Sequence, residues 1–193
     1  MTFDALVPAG GGATRLGGRD KATLRVGGVS LLDRALLAVS AAEQVIVVGP
    51  ARPGSGVAVT WARESPPGGG PAAALVAGLA EASAATVVVL AVDYPFVDRD
   101  VVAALLDAAG DHDGAALVDG EGRIHFVVGA YKTAALRRAV ESVGRGHGAS
   151  MREVFARLDI VEVRNERAAL DVDDPDDLDR ARRRAGDRES PSA

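Results

Sequence analysis

The sequence predicts a single α/β domain with a Rossmann-like, mainly parallel sheet between two helical layers, a three-layer α/β/α sandwich. Three observations predict it. Short β-branched apolar runs alternate with Ala/Leu-rich stretches of helical spacing. The runs are apolar throughout instead of alternating with polar residues, the pattern of strands covered on both faces. A chain of 193 residues, 48% of them hydrophobic, suits one domain with a sizeable core. The domain is expected to span residues 1–184, with the polar, small-residue stretch 185–193 a disordered tail.

The elements follow in order. Ala5–Val7 and Val45–Val48 are short β-branched strands, separated by a helix over Leu31–Ala41, an Ala/Leu-rich stretch with helical spacing. Val57–Trp61 reads as a third strand, and the PPGGG loop at Pro66–Gly70 leads into an alanine-rich helix over Ala72–Ala82. Thr86–Val92 is the longest apolar strand and is followed by a helix over Val101–Ala109. Strands at Ala115–Val118 and Phe126–Ala130 precede helices over Thr133–Val143 and Met151–Leu158, and Ile160–Val163 is the last strand. Asp174-Pro175 followed by Asp177 has the form of an N-cap, a first-turn proline and an acidic first turn, and the cluster Arg180–Arg184 suits the helix C-terminus and solvent. Trp61 and Met151 are expected in the core.

Composition narrows the function classes. Twenty-two Lys+Arg against 27 Asp+Glu give a net charge of −5, so no overall basic field draws nucleic acid or an anionic membrane. An anion site must therefore be local. The absence of cysteine excludes disulfides, thiolate zinc sites and cysteine nucleophiles. The first ten residues lack the basic and long apolar regions of a signal peptide, and the apolar runs are strand-sized, so a cytoplasmic protein is expected.

The stretch PAGGGATRLGGRDK, Pro8–Lys21, follows the first strand with five glycines and three cationic side chains in fourteen positions. Glycines let successive N–H groups converge on one anion, and Arg15 and Lys21 supply cationic partners for phosphate oxygens. A solvated glycine-rich loop is the alternative. The P-loop pattern fails because neither Gly17 nor Gly18 precedes a lysine, and GxGxxG fails because Arg15 occupies the third glycine position. Ligands of parallel α/β sheets bind beyond the carboxyl ends of strands, which puts this stretch and the loops after Val48 and Val92 on one rim.

The longer stretch AGGGATRLGGRDKATL, Ala9–Leu24, resembles the signature AGGx(S/A)xRMGGxDKxLL of nucleotidyltransferases related to molybdenum cofactor guanylyltransferase. Ala9, Gly10, Gly11, Arg15, Gly17, Gly18, Asp20 and Lys21 stand in the expected order. Leu16 and Thr23 depart from it at packing positions, and Leu24 matches. Glu64-Ser65 with Gly70-Pro71-Ala72-Ala73 resembles the acidic residue and GPLAG segment that close over base and ribose, with Ala74 in place of the last glycine. AVDYPF, Ala91–Phe96, resembles the family's metal-binding DxP motif, and DVDDPDDL, Asp171–Leu178, its NVNTPEDL or DIDTPEDL ending.

Asp93 stands at the end of an apolar strand, where its carboxylate would face the rim; alone it reads first as a turn cap before Pro95, and beside the glycine stretch as a metal ligand. Magnesium needs few protein carboxylates, because it keeps waters and takes substrate phosphates. Asp173 and Asp171 share one side of an extended segment. Asp93 and Asp173 are the metal candidates, Asp171 a lesser one, and Asp174 and Asp177 are assigned to capping. His125, in GRIHF, resembles the family's HP position on the acceptor side with Phe126 in place of proline, and reads otherwise as a structural strand histidine. Arg145, His147, Ser150 and Arg152 form a basic, glycine-rich patch that suits either an acceptor phosphate or a solvated loop.

The resemblance implies the fold of nucleotide-diphospho-sugar transferases and transfer of GMP from GTP to molybdenum-bound molybdopterin with release of pyrophosphate. It implies Arg15, Lys21 and Asp93 as catalytic residues. Pro8, Ala9, Gly10, Gly11, Lys21, Glu64 and Asp93 would bind nucleotide, and Asp93 and Asp173 would hold magnesium. The guanylyl members tend to read AGG where cytidylyl members read AAG, and this chain has Ala9-Gly10-Gly11. A cytidylyltransferase for the same cofactor, a sugar-phosphate nucleotidyltransferase and a non-catalytic nucleotide-binding regulatory module stay open beside it.

Overall fold

The structure, a computed structural model, describes residues 1–10, 18–52, 56–64, 70–143 and 151–186. Nine strands and six α-helices lie among them. The strands are β1 (Asp4–Pro8), β2 (Arg25–Val26), β3 (Val29–Ser30), β4 (Gln44–Val48), β5 (Thr60–Ala62), β6 (Thr86–Leu90), β7 (Gly114–Val118), β8 (Ile124–Lys132) and β9 (Ile160–Arg164). The helices are α1 (Leu31–Ala38), α2 (Gly70–Glu81), α3 (Arg99–Ala109), α4 (Thr133–Ser142), α5 (Met151–Phe155) and α6 (Pro175–Ala185).

Seven strands form one sheet in the order β5-β4-β1-β6-β8-β7-β9. All neighbours are parallel except that β8 runs against β6 and β7. Only residues 119–123 separate β7 from β8, too few for the crossover a parallel pair needs, so the two close as an antiparallel pair. Side chains alternate between the faces. Ala5, Val7, Val45, Val47, Val88 and Leu90 enter one cluster with α1, α3 and α6. Leu6, Ile46, Val48, Val87 and Val89 enter the other with α2, α4 and α5. This is the expected three-layer sandwich, and it explains why the strand runs are apolar at every position.

Several boundaries differ from those expected. The hairpin of β2 and β3 escapes a pattern search because each strand has two residues, but Gly27 and Gly28 both take positive φ, 63° and 73°, which suits a tight hairpin turn. The third strand begins at Thr60 rather than Val57, and β8 extends beyond the expected run at both ends. Trp61 and Met151 are only partly buried, packed against the two clusters. Helix α6 follows its capping signals: Asp174 accepts from Asp177 N–H at 2.9 Å, Pro175 begins the helix, and Gly186 closes it in the left-handed region. It runs through Ala185, to the edge of the expected tail.

The chain leaves β1 for β4 and β5 on one side of the sheet and then returns to β6 on the other. The order therefore reverses between β1 and β6, and a crevice opens beyond their carboxyl ends.

Candidate active site

Three strand exits meet at this crevice. Ala9, just past β1, donates its N–H to Val48 O of β4 at 2.8 Å, and Val92, just past β6, donates to Pro8 O at 3.2 Å. Gly49 packs so tightly here that a Cβ on it would stand 3.0 Å from Ala9 C and Gly10 N, and its φ of 152° favours glycine. Among the described residues, the opening stretch and the loops after Val48 and Val92 share one rim, as expected.

On that rim Asp20 caps a single 3-10 turn, Lys21–Thr23. Its Oδ1 accepts from Ala22 N–H at 3.2 Å, and its carbonyl accepts from Thr23 N–H and Oγ1. Ala22 and Leu24 are buried and anchor the turn, which leaves Lys21 facing the crevice. Lys21 Nζ donates to Asp173 Oδ1 at 2.8 Å and to Asp93 Oδ2 at 3.3 Å. Burial alone would lower the pKa of Lys21, but Asp93 and Asp173 together outweigh it and hold the value above normal.

Asp93 is delivered by the end of β6, and Asp173 by a backbone bond, since Val172 N–H donates to Asp93 O at 2.9 Å. Burial pushes the Asp93 carboxyl above its ordinary range, with Lys21 opposing. Asp93 Oδ1 is buried without a hydrogen-bond partner among the described residues. Asp171 is half-buried and its carboxyl is likewise raised, first by burial and then by Asp173.

Two carboxylates that reach one cation, with a buried oxygen left over, fit a magnesium ion that takes its remaining ligands from phosphates and water. Among the described residues no cluster of three or more acidic or histidine side chains suits a metal enclosed wholly by protein.

Pro8 ends β1, and Ala9 and Gly10 form the rim beyond it. A Cβ on Gly10 would stand 4.0 Å from Glu64 Oε1, so Glu64 flanks this backbone. Gly11 and Arg15, along with Arg145, His147 and Ser150 of the basic patch, lie outside the described residues.

His125 is buried. Its Nε2 faces Asp119 Oδ2 at 3.2 Å and its Nδ1 faces the Tyr94 hydroxyl at 3.0 Å. A backbone hydrogen bond from Arg123 heads the influences that keep Asp119 ionised, and an ionised carboxylate only accepts. Nε2 therefore donates to Asp119, and the pairing of Nδ1 with the Tyr94 hydroxyl braces the loop after Asp93.

The sequence reading missed Arg52. Its guanidinium forks onto both Asp20 oxygens at 2.6 and 2.8 Å and also reaches Ala9 O and Pro50 O, each at 3.0 Å.

A parallel-sheet switch point that gathers a lysine and two carboxylates below a glycine-rich strand exit defines a nucleotidyltransferase-type α/β domain. Residues 5–163 match the family described as MobA-like NTP transferase domain, and the chain belongs to that family. It is 29% identical over 195 residues to the "Probable molybdenum cofactor guanylyltransferase" of Natronomonas pharaonis, with 93% of this chain and 96% of that protein covered. The molybdenum cofactor guanylyltransferase of Acidiphilium cryptum is 36% identical over 142 residues, with 68% and 67% covered. The crystal structure of 2-C-methyl-D-erythritol 4-phosphate cytidylyltransferase from Thermus thermophilus superposes with a TM-score of 0.74 at 28% identity, covering 96% of this chain and all of that one.

Proposed function

We propose that this nucleotidyltransferase transfers GMP from GTP to molybdenum-bound molybdopterin, releasing pyrophosphate. The observation that carries the reading is the convergence of Lys21, Asp93 and Asp173 at the switch point, one cation and two carboxylates where the phosphates of a nucleotide would lie. The likeness to two guanylyltransferases over two thirds or more of the chain supports the choice of reaction.

In this reading the anionic phosphate of the acceptor attacks the α-phosphorus of GTP. The new P–O bond forms as the bond from the α-phosphorus to the α–β bridging oxygen breaks, and that oxygen departs with pyrophosphate. The nucleophile is already anionic, so no side chain has to remove a proton from it. Lys21 and Arg15 bind the phosphates and offset the charge that grows on the leaving group. Asp93 and Asp173 would hold magnesium, which when bound neutralises phosphate charge and orients the α-phosphate for in-line attack. Pro8, Ala9, Gly10, Gly11 and Glu64 bind the nucleoside, Gly10 by leaving open backbone beside the base.

A cytidylyltransferase is the second reading, favoured by the similarity to the Thermus thermophilus enzyme. The test incubates the purified chain with each nucleoside triphosphate in turn, with magnesium and molybdopterin, and measures pyrophosphate. Release with GTP alone is expected. Release only with CTP would overturn the guanylyl assignment, and nucleotide binding without release would make the chain a regulatory module.

A further inference from the structure

We propose that Arg52 is a positioning residue that clasps both ends of the glycine-rich loop and so sets the geometry in which Lys21 meets nucleotide phosphates. The inference rests on the reading of that loop as a phosphate site. Ala9 and Asp20 bracket the loop in sequence, and one guanidinium holds them both. NH2 donates to Ala9 O and to Asp20 Oδ1, and Nε donates to Asp20 Oδ2. NH1 ties the same group to its own strand exit through Pro50 O.

The burial is lopsided in an informative way. The Arg52 side chain is 12% exposed, whereas that of Asp20 is 44% exposed. A surface ion pair between two flexible partners is worth little, but here the arginine is fixed by two backbone carbonyls before it meets the carboxylate. Asp20 is thereby held where it caps the turn that carries Lys21. Movement of Asp20 would carry Lys21 with it.

The clasp also solves an electrostatic problem. An aspartate beside a phosphate site would repel the ligand, and the bidentate arginine cancels that charge without placing a further free cation in the crevice. Lysine cannot replace it, since a single ammonium offers no fork to span both carboxylate oxygens while also reaching Ala9 O.

The test compares the unsubstituted chain with Arg52→Lys and Asp20→Asn. Asp20→Asn keeps an oxygen to cap Ala22, so it serves even if the arginine variant folds poorly. Titration calorimetry with GTP and magnesium reads affinity, and thermal unfolding reads the fold. Each variant should weaken GTP binding by about tenfold or more with its melting temperature nearly unchanged, because a small misplacement of a phosphate ligand is costly. The double variant should be no weaker than the poorer single one, since the two residues act as one unit. KM for GTP should rise while KM for the acceptor stays put, which a general loss of stability would not produce. Equal GTP affinity in all the proteins would overturn the clasp alone. Failure of the unsubstituted chain to bind GTP or CTP would overturn the phosphate-site reading, and the clasp's role with it.

Discussion

Lys21 Nζ lies 2.8 Å from Asp173 Oδ1 although 152 residues separate them along the chain. The same nitrogen reaches Asp93, so a single cation balances two carboxylates contributed by distant motifs. Lys21 thus lies between the two carboxylates proposed to hold magnesium.

Removal of Lys21 should therefore have two effects. Lys21→Ala should slow nucleotidyl transfer by about 100-fold, the ~3 kcal/mol typical of one charge contact made mainly in the transition state. It should also tighten binding of manganese to the nucleotide-free protein, measured by the quenching of its electron paramagnetic resonance signal. Near-normal turnover would remove Lys21 from the mechanism, and unchanged manganese affinity would end the competition between lysine and metal.

Asp93→Asn keeps the shape of the side chain and removes its charge. Nucleotide binding should survive in part while magnesium-dependent turnover largely disappears, as followed by a magnesium titration of pyrophosphate release. Retained activity with the same magnesium dependence would show that Asp93 holds no metal.

In the proposed reading, base choice turns on Gly10. A methyl group there meets only ordinary contacts, 3.7 Å from Val48 O and 4.0 Å from Glu64 Oε1, so Gly10→Ala should fold. It would narrow the space beside the base. GTP should be preferred over CTP by at least ~10-fold in kcat/KM in the parent, and the substitution should erode that preference. Equal use of the two triphosphates by the parent would refute the assignment of base.

Acid should expose the bond between Asp20 and Arg52. The hydrogen bond from Arg52 is the largest influence on the Asp20 carboxyl and holds it below its usual value of 3.8. A carboxyl depressed on folding contributes stability above its unfolded value and loses it as pH falls through the folded one. Urea unfolding followed from pH 6 downward should thus show this contribution intact above about pH 4 and fading below. Asp20→Asn should lose stability less steeply in that acid window; an identical slope would mean that the pair is uncoupled from folding.

Much of this was legible in the sequence because the determining signals are local. Apolar runs such as Thr86–Leu90 disclose a strand buried on both faces, and Asp174-Pro175 discloses a helix start. Asp93 and Lys21 could be placed together because both follow strands whose carboxyl ends share a rim. Arg52 could not, because nothing in Pro50-Ala51-Arg52 marks it until the exits of β1 and β4 are brought together. The direction of β8 was likewise hidden, being set by the short link from β7 and not by its composition. The partners of His125, Tyr94 and Asp119, were hidden as well, since only the fold brings Tyr94 to its ring.

The backbone bond from Val172 to Asp93 has a bearing on how the protein is made. A ribosome delivers Lys21 and Asp93 early, and all seven strands of the main sheet are complete at Arg164, yet the second carboxylate arrives only at residue 173. During synthesis the sheet can close around a crevice that still lacks one of its acidic walls. The α6 segment then folds back over the finished strands and brings Asp173 to Lys21 and Asp93. A protease cut between β9 and α6 would part Asp173 from the chain that carries all seven strands of the main sheet.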